Sequence, residues 1–310
     1  MPSKLVLLDF DGTLCLGDDP VLEYARTVDE ALGLKGLPEN LPRPVAEIVA
    51  DAFARDTLLV PDIEYGDEGL PTALSHERSD VATLRREDRG NAAGQGPVPT
   101  SDVGAGHVGE RTGPVPAAGT STAKAHPNSW PLQDGYQLVQ LLAVQAGLSN
   151  EEAGTAFRAA RRQLVGRGLQ NTDLHAPEGA AELLAELRAE KSISGVLITN
   201  APAEGFAAWL EALGLQDSFD AVLNSAQKPF GMPAAVEQAR AASPEPVPEE
   251  NVLSVGDIWA NDLAHVRARG GSTILIDRFD TGLGEPAHRV GSFAEAAPLI
   301  RRWSGWKQFS

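Results

Sequence analysis

Four short stretches of this 310-residue chain hold residue types that do chemistry together. Asp9 and Asp11 stand two apart in Asp9-Phe10-Asp11-Gly12-Thr13, directly after an apolar run. At a strand exit both carboxylates can face one cavity, and Gly12 permits a sharp turn and close backbone approach. Such a pair serves a hard cation, or a nucleophile with an acid beside it. Two aspartates in an ordinary turn would read the same way. Thr199-Asn200 offers a hydroxyl, an amide and neighbouring N–H groups that suit phosphate oxygens, and that equally suit helix capping. Lys228-Pro229 stands just ahead of a helix opened by Pro233, and a lone lysine is ordinarily solvated. Gly256-Asp257-Ile258-Trp259-Ala260-Asn261-Asp262 adds two carboxylates, Asp257 and Asp262, beside a glycine.

The elements behind these stretches give them a common place. Residues 4–9, 194–200, 219–225, 251–257 and 272–277 are short runs rich in Val, Ile and Leu, as in strands buried on both faces of a parallel sheet. Helical stretches alternate with them. In 177–190, Ala181, Leu184 and Leu187 fall on one stripe; the others are 203–213, 233–242 and 261–269. Alternation of this kind predicts a doubly wound α/β sheet. In such sheets ligands bind beyond the carboxyl ends of the strands, where all four stretches fall.

A crossover needs only a dozen or so residues, so the long interval from Asp9 to residue 194 must hold another unit. Helical spacing appears at 19–33, 44–58 and 134–147, and Ser149 with Glu152 forms a capping box opening a helix to about Leu164. These predict a four-helix cap inserted after the first strand. The expected division is an α/β core of 1–17 and 170–310 and a cap of 18–169. Within the cap, 66–129 has no aromatic residue, and Gly and Pro fill a third of 90–128. Segment 66–128 is therefore expected to lack fixed structure, as an insertion tolerated at a helix-hairpin tip.

Composition narrows the function. Hydrophobic residues make up 42% and the net charge is −17, which repels phosphate backbones and anionic lipid. Nucleic acid and membrane are therefore not expected as partners. The run at 5–8 is too short for a secretory signal, and with Cys15 as the single cysteine no intrachain disulfide forms. A cytoplasmic location is expected. A small anionic substrate then needs a local cation, which points to a metal or a placed lysine.

The set DFDGT at 9–13, ITN at 198–200, KP at 228–229 and GDIWAND at 256–262, in this order and each after a strand, resembles the haloacid dehalogenase superfamily. The resemblance is to its phosphatase branch with a helical cap after the first strand, phosphoglycolate phosphatase-like. The resemblance covers 1–18 and 170–300 well, the cap in position and character only, and 62–129 not at all. It implies that Asp9 is a nucleophile giving an aspartyl-phosphate and that Asp11 is the general acid, then base. It implies Mg2+ held by the Asp9 carboxylate, the Asp11 backbone carbonyl and Asp257, with Asp262 nearby. Gly12, Thr199, Asn200 and Lys228 would hold the phosphoryl group. Asp11 is the acidic residue that separates phosphoryl-transfer members from dehalogenases. A phosphonate-cleaving member would need a cap lysine, and 19–60 with 130–165 contains only Lys35.

The expected activity is a Mg2+-dependent phosphatase acting on a small phosphorylated metabolite. The alternatives are a phosphomutase or phosphotransferase with the same core, and a non-catalytic binding module. For the leaving group, Cys15, Leu16, Arg161, Arg162 and Arg167 are candidates, the arginines set against an ordinary solvated helix face. His265 and Arg267 are expected to face solvent, and Trp303 and Trp306 to pack on the core.

Overall fold

The computed structural model describes residues 3–37, 40–55, 58–60, 64–65, 71–72 and 130–305. Six strands form one parallel sheet: β1 Lys4–Leu8, β2 Ile193–Ile198, β3 Ala221–Leu223, β4 Val252–Gly256, β5 Ser272–Ile276 and β6 His288–Val290, in the order β6-β5-β4-β1-β2-β3. The chain runs outward from β1 through β2 and β3, then returns to β4 on the other side. The strand order thus reverses between β1 and β4, which opens a crevice at their carboxyl ends. Asp9 N–H donates to Val255 O at 3.0 Å and ties the two exits together.

Alternation along β1 feeds both faces of the sheet. Val6 and Leu8 join a core with α5 Ala180–Ala189, α6 Phe206–Ala212 and α9 Phe293–Ser304. Leu5 and Leu7 pack on the opposite face, against α7 Met232–Ala242 and Val266 of α8 Ala264–Ala268. On α5 the buried stripe is Ala180, Leu183, Leu184 and Leu187, with Ala181 exposed. The expected stripe is therefore one position off at Ala181. Strand β6 escapes the sequence reading because it is a three-residue edge with His288 and Arg289 exposed, and no apolar run marks it.

Between β1 and β2 stand α1 Asp19–Lys35, α2 Val45–Ala54, α3 Gly135–Gln145 and α4 Asn150–Arg167. They share a second core that includes Tyr24, Val28, Leu32, Ile48, Val49, Leu138, Leu142, Ala153 and Ala160. Ser149 caps α4 with both hydrogen bonds of a capping box to Glu152. Asp134 caps α3, accepting from Gln137 N–H at 2.7 Å. The expected insertion at 66–128, apart from Pro71–Thr72, lies outside the described residues, as does Trp306. Trp303 packs partly buried on the core. Among the described residues no helix is long and apolar enough to cross a membrane.

Candidate active site

The four stretches converge at the crevice. A cavity of about 250 Å3 is lined from the core by Asp9, Asp11, Thr199, Asn200, Lys228 and Asp262. The helical segment between β1 and β2 lines its other side with Tyr24, Asp134, Tyr136, Gln137, Gln140 and Phe157. Lys228 is buried and threefold bonded. Its Nζ lies 2.5 Å from Asp9 Oδ1 and 2.6 Å from Asp262 Oδ1, and donates to Ile198 O at 3.1 Å. Burial pulls the ammonium's pKa down, but Asp262 and Asp9 outweigh it and the net direction is up. Lys228 is a charged lysine fixed against the Asp9 carboxylate.

Asn200 lines the cavity, and its side chain also holds the peptide of the lysine. Its Oδ1 accepts from Lys228 N–H at 2.7 Å and its Nδ2 donates to Lys228 O at 3.1 Å, so its amide clips the peptide that presents the lysine. Thr199 is buried at the cavity wall, its Oγ1 accepting from Ala201 N–H at 3.0 Å. Gly231, at the start of α7, fits because a Cβ there would stand 1.8 Å from Ala226 O. The tight turn after Lys228 therefore takes glycine at that point.

Asp9, Asp257 and Asp262 each offer a carboxylate oxygen within 4.8 Å of the others, all three buried. Asp262 is fully engaged, with Oδ1 on Lys228 and Oδ2 accepting from Ile258 N–H at 3.0 Å. Asp257 is not: its Oδ1 is buried without a hydrogen-bond partner. Burial first, then repulsion from Asp9, Asp134 and Asp262, holds the Asp257 pKa well above the carboxylate range. Asp262 is pushed up to about 7, again by burial and then by Asp9, against Lys228. One lysine thus faces three carboxylates, and the charge deficit suits a cation. The donors are all hard oxygens and one of them is orphaned, which fits a hard divalent cation. Gly12 permits the close approach: at φ +78° its backbone lies so near Asp257 that a Cβ would meet Oδ2 at 2.0 Å. Gly12 N–H donates to Cys15 O at 3.0 Å, within its own turn.

Asp11 stands apart from that trio, on the cap side. Tyr136 Oη donates to its Oδ1 at 3.4 Å, and Arg161 Nη1 lies at 3.4 Å from the same atom. Burial raises the Asp11 pKa, Arg161 offsets part of that, and Asp9 adds to it. The two aspartates of DFDGT therefore differ in degree: Asp9 is paired closely with Lys228, and Asp11 more loosely with Arg161, with burial raising the Asp11 pKa.

Of the three candidate arginines, the structure brings only Arg161 to the site. It is buried, 3.8 Å over the Trp209 ring, with Nη2 unpartnered. Arg162 is exposed, and Arg167 is exposed and pairs with Glu23 Oε1 at 2.6 Å. The shared stripe of Phe157, Arg161 and Leu164 on α4 is the signal that separates them. Cys15 is buried and Leu16 half-buried beside a smaller cavity, and burial raises the Cys15 thiol well up. His265 is half-buried and Arg267 exposed, both away from the crevice. Sequence reasoning missed Gln133, Asp134 and Tyr136, because a segment before a helix looks like ordinary capping.

The chain belongs to the haloacid dehalogenase-like hydrolases, whose family model matches residues 3–268. Solved structures similar to it include a haloacid dehalogenase-like family hydrolase from Xanthomonas campestris, at 15% identity over 98% of this chain and 92% of that one, TM-score 0.46. A predicted phosphoglycolate phosphatase from Haemophilus somnus matches at 14% identity over 96% and 98%, TM-score 0.46. A 2-haloacid dehalogenase from Pseudomonas syringae matches at 17% identity over 98% and 100%, TM-score 0.42. No curated protein matches the chain.

Proposed function

We propose that this hydrolase is a Mg2+-dependent phosphatase of a small phosphorylated metabolite, acting through an aspartyl-phosphate at Asp9. The observation that carries the reading is the contrast between two carboxylates on one cavity. Asp9 is paired with Lys228 at 2.5 Å, and burial raises the pKa of Asp11, which sits beside Tyr136 and Arg161, with Arg161 offsetting part of that rise. A nucleophile and a proton donor side by side are what phosphoryl transfer to a carboxylate requires.

In the first step an Asp9 oxygen attacks phosphorus, the bond from phosphorus to the leaving oxygen breaks, and Asp11 gives that oxygen its proton. In the second, Asp11 takes a proton from water as the water attacks phosphorus. The bond to Asp9 breaks, leaving inorganic phosphate and the free carboxylate. Lys228 offsets charge on Asp9 and on the transferring group, and Thr199 borders the same space. Asp9, Asp257 and the Asp11 backbone carbonyl would hold Mg2+, with Asp262 behind them holding Lys228. The bound cation supplies the charge that lets a carboxylate approach a phosphate dianion.

The division of labour follows the chain: a core of 1–17 and 170–310 for phosphoryl transfer and a cap of 18–169 for the leaving group, the cytoplasm being the proposed compartment. The phosphomutase alternative draws on one observation. The cap rests directly on Asp11 through Tyr136 and Arg161, and such a roof can keep water out.

The reading is tested by phosphate release from a panel of metabolite phosphoesters, with and without Mg2+, in wild type and Asp11→Asn. Wild type is expected to release phosphate only with the cation. Asp11→Asn is expected to lose roughly 10²–10⁴-fold, more for alkyl esters than for aryl esters, whose leaving oxygen needs less help from an acid. Compared as kcat/KM, which excludes the later water step in which Asp11 also acts, equal losses on both ester types would remove Asp11 from the acid role.

A further inference from the structure

The cap meets the core at a second cavity of about 50 Å3, whose lining includes Gly12, Gln133, Asp134 and Asp257. Two buried side-chain atoms of that lining have no hydrogen-bond partner, Asp257 Oδ1 and Gln133 Nε2. Their residues are 4% and 7% exposed. Buried polar atoms are almost always paired, with protein or with held water, so each orphan marks a place for a guest. One orphan accepts and the other donates.

Gln133 is not loose. Its Oε1 accepts from Trp259 N–H at 3.0 Å, on the loop that follows Asp257, and its own N–H donates to Gln137 Oε1 at 3.0 Å. The next residue, Asp134, is anchored by Oδ1 to Gln137 N–H at 2.7 Å and lines both the small cavity and the large one. It lies close enough to Asp257 for its charge to bear on that carboxylate. A cap carboxylate therefore lines the same small cavity as the core carboxylate whose oxygen is orphaned.

We propose that Gln133 and Asp134 are the cap's share of the cation site. Asp134 accepts hydrogen bonds from water carried by the divalent cation, and Gln133 is the positioning residue that docks Asp134 on the Trp259 loop. The proposal rests on the cation site described under the proposed function. Its consequence is reciprocal coupling: cation binding favours the docked cap, and a docked cap favours the cation.

The test is Mg2+ binding without substrate, by titration calorimetry on the full chain, in wild type, Asp134→Asn and Gln133→Ala. Each variant is expected to bind Mg2+ on the order of 10-fold or more weakly, as outer ligands of metal sites do when removed. The Mg2+-dependent rise in melting temperature should shrink with it. Gln133→Ala decides the docking claim because it changes no charge. If it fails to fold without Mg2+, judged by circular dichroism, Gln133→Met fills the space without the amide and replaces it. Binding within twofold of wild type in both variants overturns the proposal. So does weakening in Asp134→Asn alone, which a distant loss of charge explains. A wild type that binds no divalent cation overturns this proposal and the Mg2+ part of the proposed function together. Tight wild-type binding with indifferent variants removes this proposal alone.

Discussion

Asp9→Asn is expected to lower kcat by about 10⁴-fold or more while leaving the circular dichroism spectrum unchanged. The amide keeps the shape of the side chain at the exit of β1. It loses the nucleophilic oxygen and the charge that Lys228 offsets at 2.5 Å. Lys228 retains Asp262 Oδ1 at 2.6 Å and Ile198 O at 3.1 Å, so the lysine stays in place and the fold is not under test. Turnover is measured under substrate saturation with Mg2+ in excess, which separates lost chemistry from weakened cation binding. Turnover within tenfold of wild type would remove Asp9 from the nucleophile's role.

Lys228→Met should act first on stability. The ammonium is the partner of two buried carboxylates, and removing one side of a buried ion pair costs about 3–5 kcal/mol because the remaining charge stays desolvated. The pH dependence gives the sign. The Asp262 pKa already stands at about 7, raised by burial and then by Asp9, with Lys228 holding it down. Without the lysine it rises further. A carboxyl whose folded pKa exceeds its unfolded value contributes stability below the unfolded pKa, and that contribution is lost as pH rises through the folded pKa. The deficit of Lys228→Met in urea denaturation without Mg2+ is therefore expected to be largest above about pH 7 and to shrink as pH falls toward 4. A deficit that grows toward acid would contradict the assigned charges.

Much of the core is legible because a parallel sheet writes itself plainly. Runs such as Leu5–Leu8 are apolar throughout, since both faces of β1 are covered, and they end abruptly in the polar residues of the exit. The capping box at Ser149 and Glu152 is equally plain, being wholly local. What escapes is what the tertiary fold decides. Strand β6 pairs at an edge, where burial imposes no pattern. Arg161, Arg162 and Arg167 have the same chemistry, and only the packing of α4 on Trp209 selects the first. Asp134 is a helix cap by every local sign, and it is one; that it shares a cavity with Asp257 is decided by the tertiary fold. Asn200 reads as a phosphate contact, and no local sign shows that its amide also holds the backbone of Lys228, a residue 28 positions away in sequence.

The most direct test of the phosphatase reading is turnover in ¹⁸O-labelled water. Water opens the acyl phosphate at phosphorus, so label is expected in the inorganic phosphate and none in the alcohol, with phosphate released in a one-to-one ratio to alcohol. In a single turnover with enzyme in excess, label is expected in phosphate only, and the Asp9 carboxylate should remain unlabelled. Label in the alcohol would place the cleavage on the carbon side. Label in Asp9 would place water's attack on the carboxyl carbon. Interconversion of sugar phosphate isomers with negligible phosphate release would assign the same site to a mutase.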